Sequence, residues 1–304
     1  MNQTRVAAVQ AEPKWLNKAA GVDHVIELIE TAADAGAELI AFPETMLPGF
    51  PWWMWLNSVE WGDEFRARYQ ANSLTIDGRE LAAISSVVKA RKVCVSLGFA
   101  ERSRDSVYLA QALISASGDL AVARKARPTG LEQTVFASGA ASAPALVRDT
   151  GFARVGVLGG ADHNRADARA GMRSAGEQVH VASWSGFTIC HGDIDTSTDI
   201  VCATSVRYAI DHRVFVIAPV AVVPVRGWEV MDANQPDRRL LRGGGGVARI
   251  IGPSGQELAQ PLPEGEEGII YADLNLNLTR VVRRTAAPLI TPDDRGSTAD
   301  IEWA

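Results

Sequence analysis

Apolar and polar positions change period several times along this chain, and each change predicts an element. Residues 5–11, RVAAVQA, form a short continuous apolar run. The stretch KAAGVDHVIELIETAADAGAELIAF then places Val22, Val25, Ile26 and Ile29 at helical spacing before Gly36 stops the helix, and the apolar run ELIAF follows. This is a strand–helix–strand unit, and the unbroken apolar character of both strands predicts a sheet covered by helices. A further helix is expected over roughly residues 79–91, followed by the strand KVCVSLGF.

The period then shortens. SVYLAQALISASGDLAVARK reads as two strands joined at ASGD, where Gly118 supplies the backbone angle a tight turn needs. Next come the strand RVGVLGG, a helical stretch around NRADARAGMRSAG, the strand QVHVASW, a helix over roughly residues 197–211 and the strand RVFVIAPVAVV. The C-terminal third returns to a hairpin, GVARIIGPSGQELAQ, and a last strand, EGIIYADL. No Pro- or Ser-rich linker, low-complexity tract or short tandem repeat divides the chain. A single domain over residues 1–276 is therefore expected, with 277–304 as a polar tail of little periodicity that contacts a second subunit.

Composition narrows the class of partner. With 47% hydrophobic and 22% charged residues among 304, the chain has the apolar content for a large α/β core. Its net charge of -6 argues against nucleic acid or an anionic membrane, since phosphate binding relies on clustered Lys and Arg, so a small molecule is the expected ligand. The N-terminus has no basic region followed by an apolar stretch, and no run of ~18 apolar residues predicts a membrane span. Cys94, Cys190 and Cys202 are odd in number and widely spaced, which fits neither a disulfide framework nor a metal site. A cytoplasmic protein without metal or cofactor is the expectation.

Candidate chemistry begins at FPETMLPGFPWWMW, residues 42–55, where Glu44 stands between a proline and a run of aromatics. Glu44 follows the strand ELIAF, Lys125 ends the strand LAVARK, and the sharp turn GGADH at 159–163 follows RVGVL. Residues just past strand ends converge on a shared crevice in α/β sheets. A lysine near two carboxylates stays charged, and a carboxylate against an aromatic wall gains basicity through desolvation. Phe50, Trp52, Trp53 and Trp55 are candidates for that wall, or else for core or a subunit contact.

The segments AFPETMLPGFPWW, RKARPTGLEQTVF, GEQVHVASW and EEGIIYADLNL, in this order and covering about residues 4–276, resemble the nitrilase branch of the carbon–nitrogen hydrolase superfamily. The resemblance implies an α-β-β-α sandwich of two packed sheets, paired through a helical face into homodimers and sometimes longer spirals. It also implies cofactor-independent chemistry on a small nitrogen compound: a glutamate as general base, a lysine that stabilises the tetrahedral intermediate, a cysteine nucleophile and a second, orienting glutamate. Glu44 in FPET matches the base, Lys125 in RK the lysine and Glu132 in PTGLEQ the second glutamate. Phe50, Trp52, Trp53, Trp184 and Cys190 are then the expected substrate-pocket residues.

The nucleophile departs from this pattern. Where the family has cysteine, tryptophan and glutamate, this chain has Gly160, Ala161 and Asp162, and neither Gly160 nor Gly159 has a side chain that could attack carbon. Gly130 stands where histidine is usual, Gln133 where arginine is common, ASGAAS replaces a more acidic stretch, and the tail AAPLITPDDRG lacks the His-Tyr-Ser-Arg-Pro pattern. The expected function is therefore non-covalent acid/base chemistry at a C–N bond (hydrolysis, hydration, dehydration or ring closure), with Gly159, Gly160, Ala161, Asp162 and His163 lining the vacated position. Two alternatives stand beside it. One is an inactive binding or scaffold subunit. The other is a hydrolase with Cys190, in FTICHGD, as a relocated nucleophile, although adjacent His191 would point to the opposite face of an extended segment. Cys94 and Cys202 read as core thiols and His180 as a satisfied strand histidine. His163 reads either as an acid/base group or as a turn residue bonded to backbone.

Overall fold

The computed structural model describes residues 3–55, 59–140, 145–186, 188–191, 194–195, 198–223, 241–242 and 245–279. Strand β1 (Gln3–Ala11) alternates strictly: Val6 and Ala8 face one apolar layer, and Ala7, Val9 and Ala11 face another, so both sides of the strand are covered. Helix α1 (Lys18–Asp34) starts at Asn17, whose side chain accepts from the Ala20 amide, and buries Val22, Val25, Ile29 and Ala32 along one stripe. Strand β2 (Leu39–Ala41) follows, then α2 (Val59–Asn72) and α3 (Arg79–Arg91). Strands β3 (Cys94–Ser103), β4 (Ser106–Ile114) and β5 (Leu120–Arg124) form an antiparallel meander.

The second half repeats the strategy. It contains β6 (Val147–Asp149), β7 (Arg154–Gly159), α4 (Ala166–Ser174), β8 (Val179–Ser183), β9 (Thr188–His191), β10 (Ile194–Asp195), α5 (Thr198–His212), β11 (Phe215–Ala218) and β12 (Val220–Ala221). Strands β13 (Leu241–Arg242), β14 (Arg249–Ile251) and β15 (Gly268–Asn275) complete it. Among the described residues, one sheet runs β12-β1-β2-β3-β4-β5 with β15 antiparallel to β1, and a second runs β14-β11-β8-β7-β6. In the first sheet Val6 of β1 pairs with Leu39 of β2, and in the second Val155 of β7 pairs with Val179 of β8, both in parallel.

The two sheets pack face to face through Val6, Ala8, Leu39 and Ala41 on one side and Val155, Val157, Val181 and Phe215 on the other. Helices α1 and α3 cover the outer face of the first sheet, and α5 covers the second through Tyr208 and Ala209. The architecture is the four-layer α-β-β-α sandwich. Residues 280–304, most of the expected tail, lie outside the described residues.

Helix α2 was not foreseen. VEWGDEFRARYQAN is rich in charged residues, and among its described side chains it packs inward through Phe65 and Tyr69. These meet Trp53 (ring centroids 5.7 and 5.0 Å), while Trp15 stands edge-on to Trp52 at 5.4 Å and Phe50 lies 6.3 Å from Phe136. Phe50, Trp52 and Trp53, expected to wall a ligand pocket, are all buried in this cluster and are not among the described residues that line the two cavities at Glu44. Each ring removes a large apolar area from water.

Candidate active site

Glu44 is presented by a tight crossing of backbone. The chain leaves β2 with the Phe42 amide bonded to the Ser96 carbonyl at 2.8 Å, and the Glu44 amide donates to the Trp184 carbonyl at 3.3 Å. Gly98 of β3 lies directly beneath: a Cβ there would stand 2.3 Å from the Pro43 carbonyl, 2.6 Å from the Thr45 nitrogen and 2.7 Å from the Glu44 Cα. Those neighbours are backbone and cannot swing aside. Gly98→Ala is therefore expected to cost about 1–3 kcal/mol in a denaturation titration, and a cost near zero would mean that the strand and the Glu44 turn are free to part.

Three titratable side chains meet above this crossing, all buried. Lys125, just past β5, places Nζ 3.0 Å from Glu132 Oε1 and 3.5 Å from Glu44 Oε1. The other oxygen of Glu132 accepts from the Thr129 amide at 2.7 Å and the Thr129 hydroxyl at 3.1 Å, a capping box on the short turn 130–134. Glu132 is thus fixed at both oxygens and anchors the lysine, whereas the contact to Glu44 is looser. Burial pushes the Glu44 carboxyl up to about 7, with Glu132 and Asp162 adding to the rise and Lys125 opposing it. Burial alone would lower Lys125, but Glu44, Glu132 and Asp162 outweigh it and hold the ammonium above its ordinary range. The lysine stays charged, and the loosely held carboxyl titrates near neutrality.

The turn 160–164 closes the site from the end of β7. Gly160 has φ +41°, and a Cβ on it would lie 2.8 Å from Glu44 Oε2; one on Gly159 would lie 2.4 Å from Glu44 Oε1. The Glu44 carboxylate sits in the space that side chains here would require. Asp162 accepts from Arg165 at 3.1 Å, and burial raises its carboxyl.

Two cavities meet at Glu44. The larger, about 240 Å³, is bordered by Glu44, Glu132, Gly160, Ala161, Trp184 and Val201, among others. The smaller, about 190 Å³, is bordered by Glu44, Lys125, Gln111, Gly159, Asp162 and Arg165, among others. Glu132 lines the larger space, Lys125 and Asp162 line the smaller, and Glu44 lines both.

Of the residues singled out in the sequence, Glu44, Lys125, Glu132, Gly159, Gly160, Ala161, Asp162 and Trp184 come together here. His163 turns away from both cavities: Nδ1 faces the Gly160 carbonyl at 2.8 Å, Nε2 faces His180 Nε2 at 3.0 Å, and the ring stacks on Trp184 at 4.9 Å. Cys94 is buried between the sheets and Cys202 lies on α5; neither is among the described lining residues of the two cavities, and burial raises both thiols. The side chain of Cys190 lies outside the described residues. Sequence reasoning missed Gln111, Arg165 and Thr129. Only Thr129 carried a signal, the Thr-x-x-Glu spacing to Glu132. Among the described residues no cluster of three or more His, Cys, Asp or Glu could hold a metal ion, and no helix is long and apolar enough to cross a membrane.

Comparison with known proteins extends this geometry. The family described as Carbon-nitrogen hydrolase matches residues 5–284. An aliphatic nitrilase of Rhodococcus rhodochrous is 38% identical over 291 residues, covering 95% of this chain and 79% of that one. A nitrilase of Pseudomonas syringae pv. syringae is 38% identical over 297 residues, covering 95% and 87%. Among solved structures, an amidase from Nesterenkonia sp. superposes with a TM-score of 0.66 over 91% of this chain and 92% of that one, at 17% identity, a likeness of fold.

Proposed function

The chain belongs to the carbon–nitrogen hydrolase family, and from that premise we propose that it is an enzyme acting on a C–N bond of a small nitrile, amide or related compound by non-covalent acid/base chemistry. Glu44 takes a proton from water as its oxygen bonds to the substrate carbon. Lys125 meets the negative charge that develops on the substrate's nitrogen or oxygen, and Glu44 returns the proton to nitrogen. For a nitrile the sum is addition of water across the C–N multiple bond; for an amide, collapse of the intermediate releases ammonia. Glu132 holds the lysine, and Gly160 stands where the family's nucleophilic cysteine would be. A homodimer or larger assembly is part of the same reading, to be checked by light scattering.

One observation carries the proposal: a buried lysine is kept 3.0 and 3.5 Å from two buried carboxylates, beside cavities with no thiol among their described lining residues. Such a cluster is expensive to bury unless it is used or tightly paired, and the Glu44 contact is not tight. The test is a screen of small nitriles and amides with Glu44→Gln and Lys125→Ala as controls. Turnover that both changes abolish is the expected result, and turnover that survives both overturns the reading. Cys190→Ala is expected to leave turnover intact; its loss would favour a relocated thiol. The Glu44 carboxylate seated against Gly160 favours a second reading, a binding protein without turnover, and ligand binding with no product from any compound in the screen would select it.

A further inference from the structure

Beneath the turn 160–164 runs a continuous chain of buried polar groups that the proposed chemistry does not use. His163 Nδ1 faces the Gly160 carbonyl at 2.8 Å and His163 Nε2 faces His180 Nε2 at 3.0 Å. His180 Nδ1 lies 2.8 Å from Glu177 Oε2. Glu177 Oε1 accepts from the Tyr208 hydroxyl at 2.6 Å and lies 3.2 Å from His212 Nδ1. All five side chains are buried.

Donor and acceptor rules fix where the protons sit. A carbonyl only accepts, so His163 Nδ1 carries a proton. Three groups converge on the Glu177 carboxyl, the Tyr208 hydroxyl, His212 Nδ1 and His180 Nδ1, so it acts as an acceptor and His180 Nδ1 carries a proton as well; burial pushes this carboxyl up, but His180 first and then these hydrogen bonds hold it down to about 2. The inner nitrogens at 3.0 Å need one proton between them: two lone pairs would repel and two N–H groups would collide. Three protons on four nitrogens is one more than two neutral imidazoles hold. The ring pair is therefore a cation, and the Glu177 carboxylate is its counter-charge, which makes the burial tolerable.

The two rings sit in different surroundings. Burial first, then His180, pushes His163 down to about 3, and Lys125 adds to this. His180 instead lies flat against Tyr208 at 3.9 Å, and Tyr208 is sandwiched on its other face by His212 at 4.0 Å. Burial first, then Glu177, raises the Tyr208 hydroxyl, and Arg169 and Arg173 of α4 oppose the rise.

We propose that His163, His180 and Glu177 are positioning residues: the two rings share one extra proton against the carboxylate, and through it they lock the Gly160 carbonyl and Trp184, two walls of the larger cavity. The inference concerns where those walls stand, so it can fail or hold independently of the reaction proposed above.

The test is a long-range proton–nitrogen correlation spectrum of the histidine-15N-labelled full chain at about pH 8, where a free imidazole is neutral. Three N–H protons on the four ring nitrogens of His163 and His180 are expected, the inner one slow to exchange; two overturn the proposal. His212→Gln should keep the count at three, and Glu177→Gln should reduce it to two. The Trp184 emission, taken as the difference from Trp184→Phe, should be flat between about pH 6 and about pH 9 in the parent and pH-dependent in Glu177→Gln. Identical profiles would remove the positioning role. If Glu177→Gln does not fold, the parent's proton count still decides the shared charge, and Tyr208→Phe, which removes one donor from the carboxylate, replaces it in the emission test.

Discussion

Lys125→Ala is expected to destabilise the protein by about 3–5 kcal/mol above neutral pH and to remove turnover. The lysine is the cation within hydrogen-bond reach of both Glu44 and Glu132, and the Asp162 charge acts on it as well. Without it, Glu132 keeps its two bonds from Thr129 but loses its ion pair, and Glu44 loses the ammonium that opposes the rise of its carboxyl. The damage should therefore depend on pH. Near pH 5 the folded variant can hold Glu44 protonated and the penalty shrinks, whereas near pH 8 protonation is costly and the penalty is full. Urea titrations at the two pH values measure the difference. A loss below about 1 kcal/mol at pH 8 would mean that the ammonium is solvated, as exposed pairs are, and that the buried cluster does not exist.

How far this site could be read from the sequence varied with the kind of information each residue carries. Glu44 and Lys125 were legible because they stand just past strand ends, and Glu132, in the turn after β5, because all three lie inside segments that resemble one family. The aromatics after Glu44 were not legible in the same way: a pocket wall and a core cluster demand the same residue types, and α2, whose Phe65 and Tyr69 complete the cluster, is too charged to reveal itself by periodicity. His163 illustrates a different gap. Its position in the turn was plain, but its direction depends on His180, which β8 brings beneath the turn, and on Glu177 just before that strand. Sequence spacing encodes which face of a strand a residue occupies; it does not encode what a neighbouring turn lowers onto that face. The four layers were likewise only partly written in the pattern. The unbroken apolar strands predicted sheets with both faces covered, but which face meets a second sheet and which meets helices emerges from packing, as the alternation along β1 shows.

Glu44→Gln should have the opposite effect on stability with the same effect on activity. Burial raises the folded carboxyl from 4.5 to about 7, so the native state holds this proton longer than the unfolded chain does. Stability from this group is then fully present below about pH 4.5, falls as the pH rises, and is lost above about 7, at roughly 1.4 kcal/mol per unit. Glutamine carries no such charge. Its stability should track the parent in acid and exceed it by up to about 3 kcal/mol near pH 8, less the weak pairing to Lys125, which keeps its shorter contact to Glu132. Turnover should fall by about 10²–10⁴, the range expected when a positioned general base is removed. Parallel stability curves from pH 4 to pH 8 would show that the carboxyl is not held near neutrality and could not serve as a poised base. The contrast with Lys125→Ala carries the mechanism: two changes that both silence the site, one loosening the fold and the other tightening it, separate a group retained for proton transfer from one retained to hold the charges together.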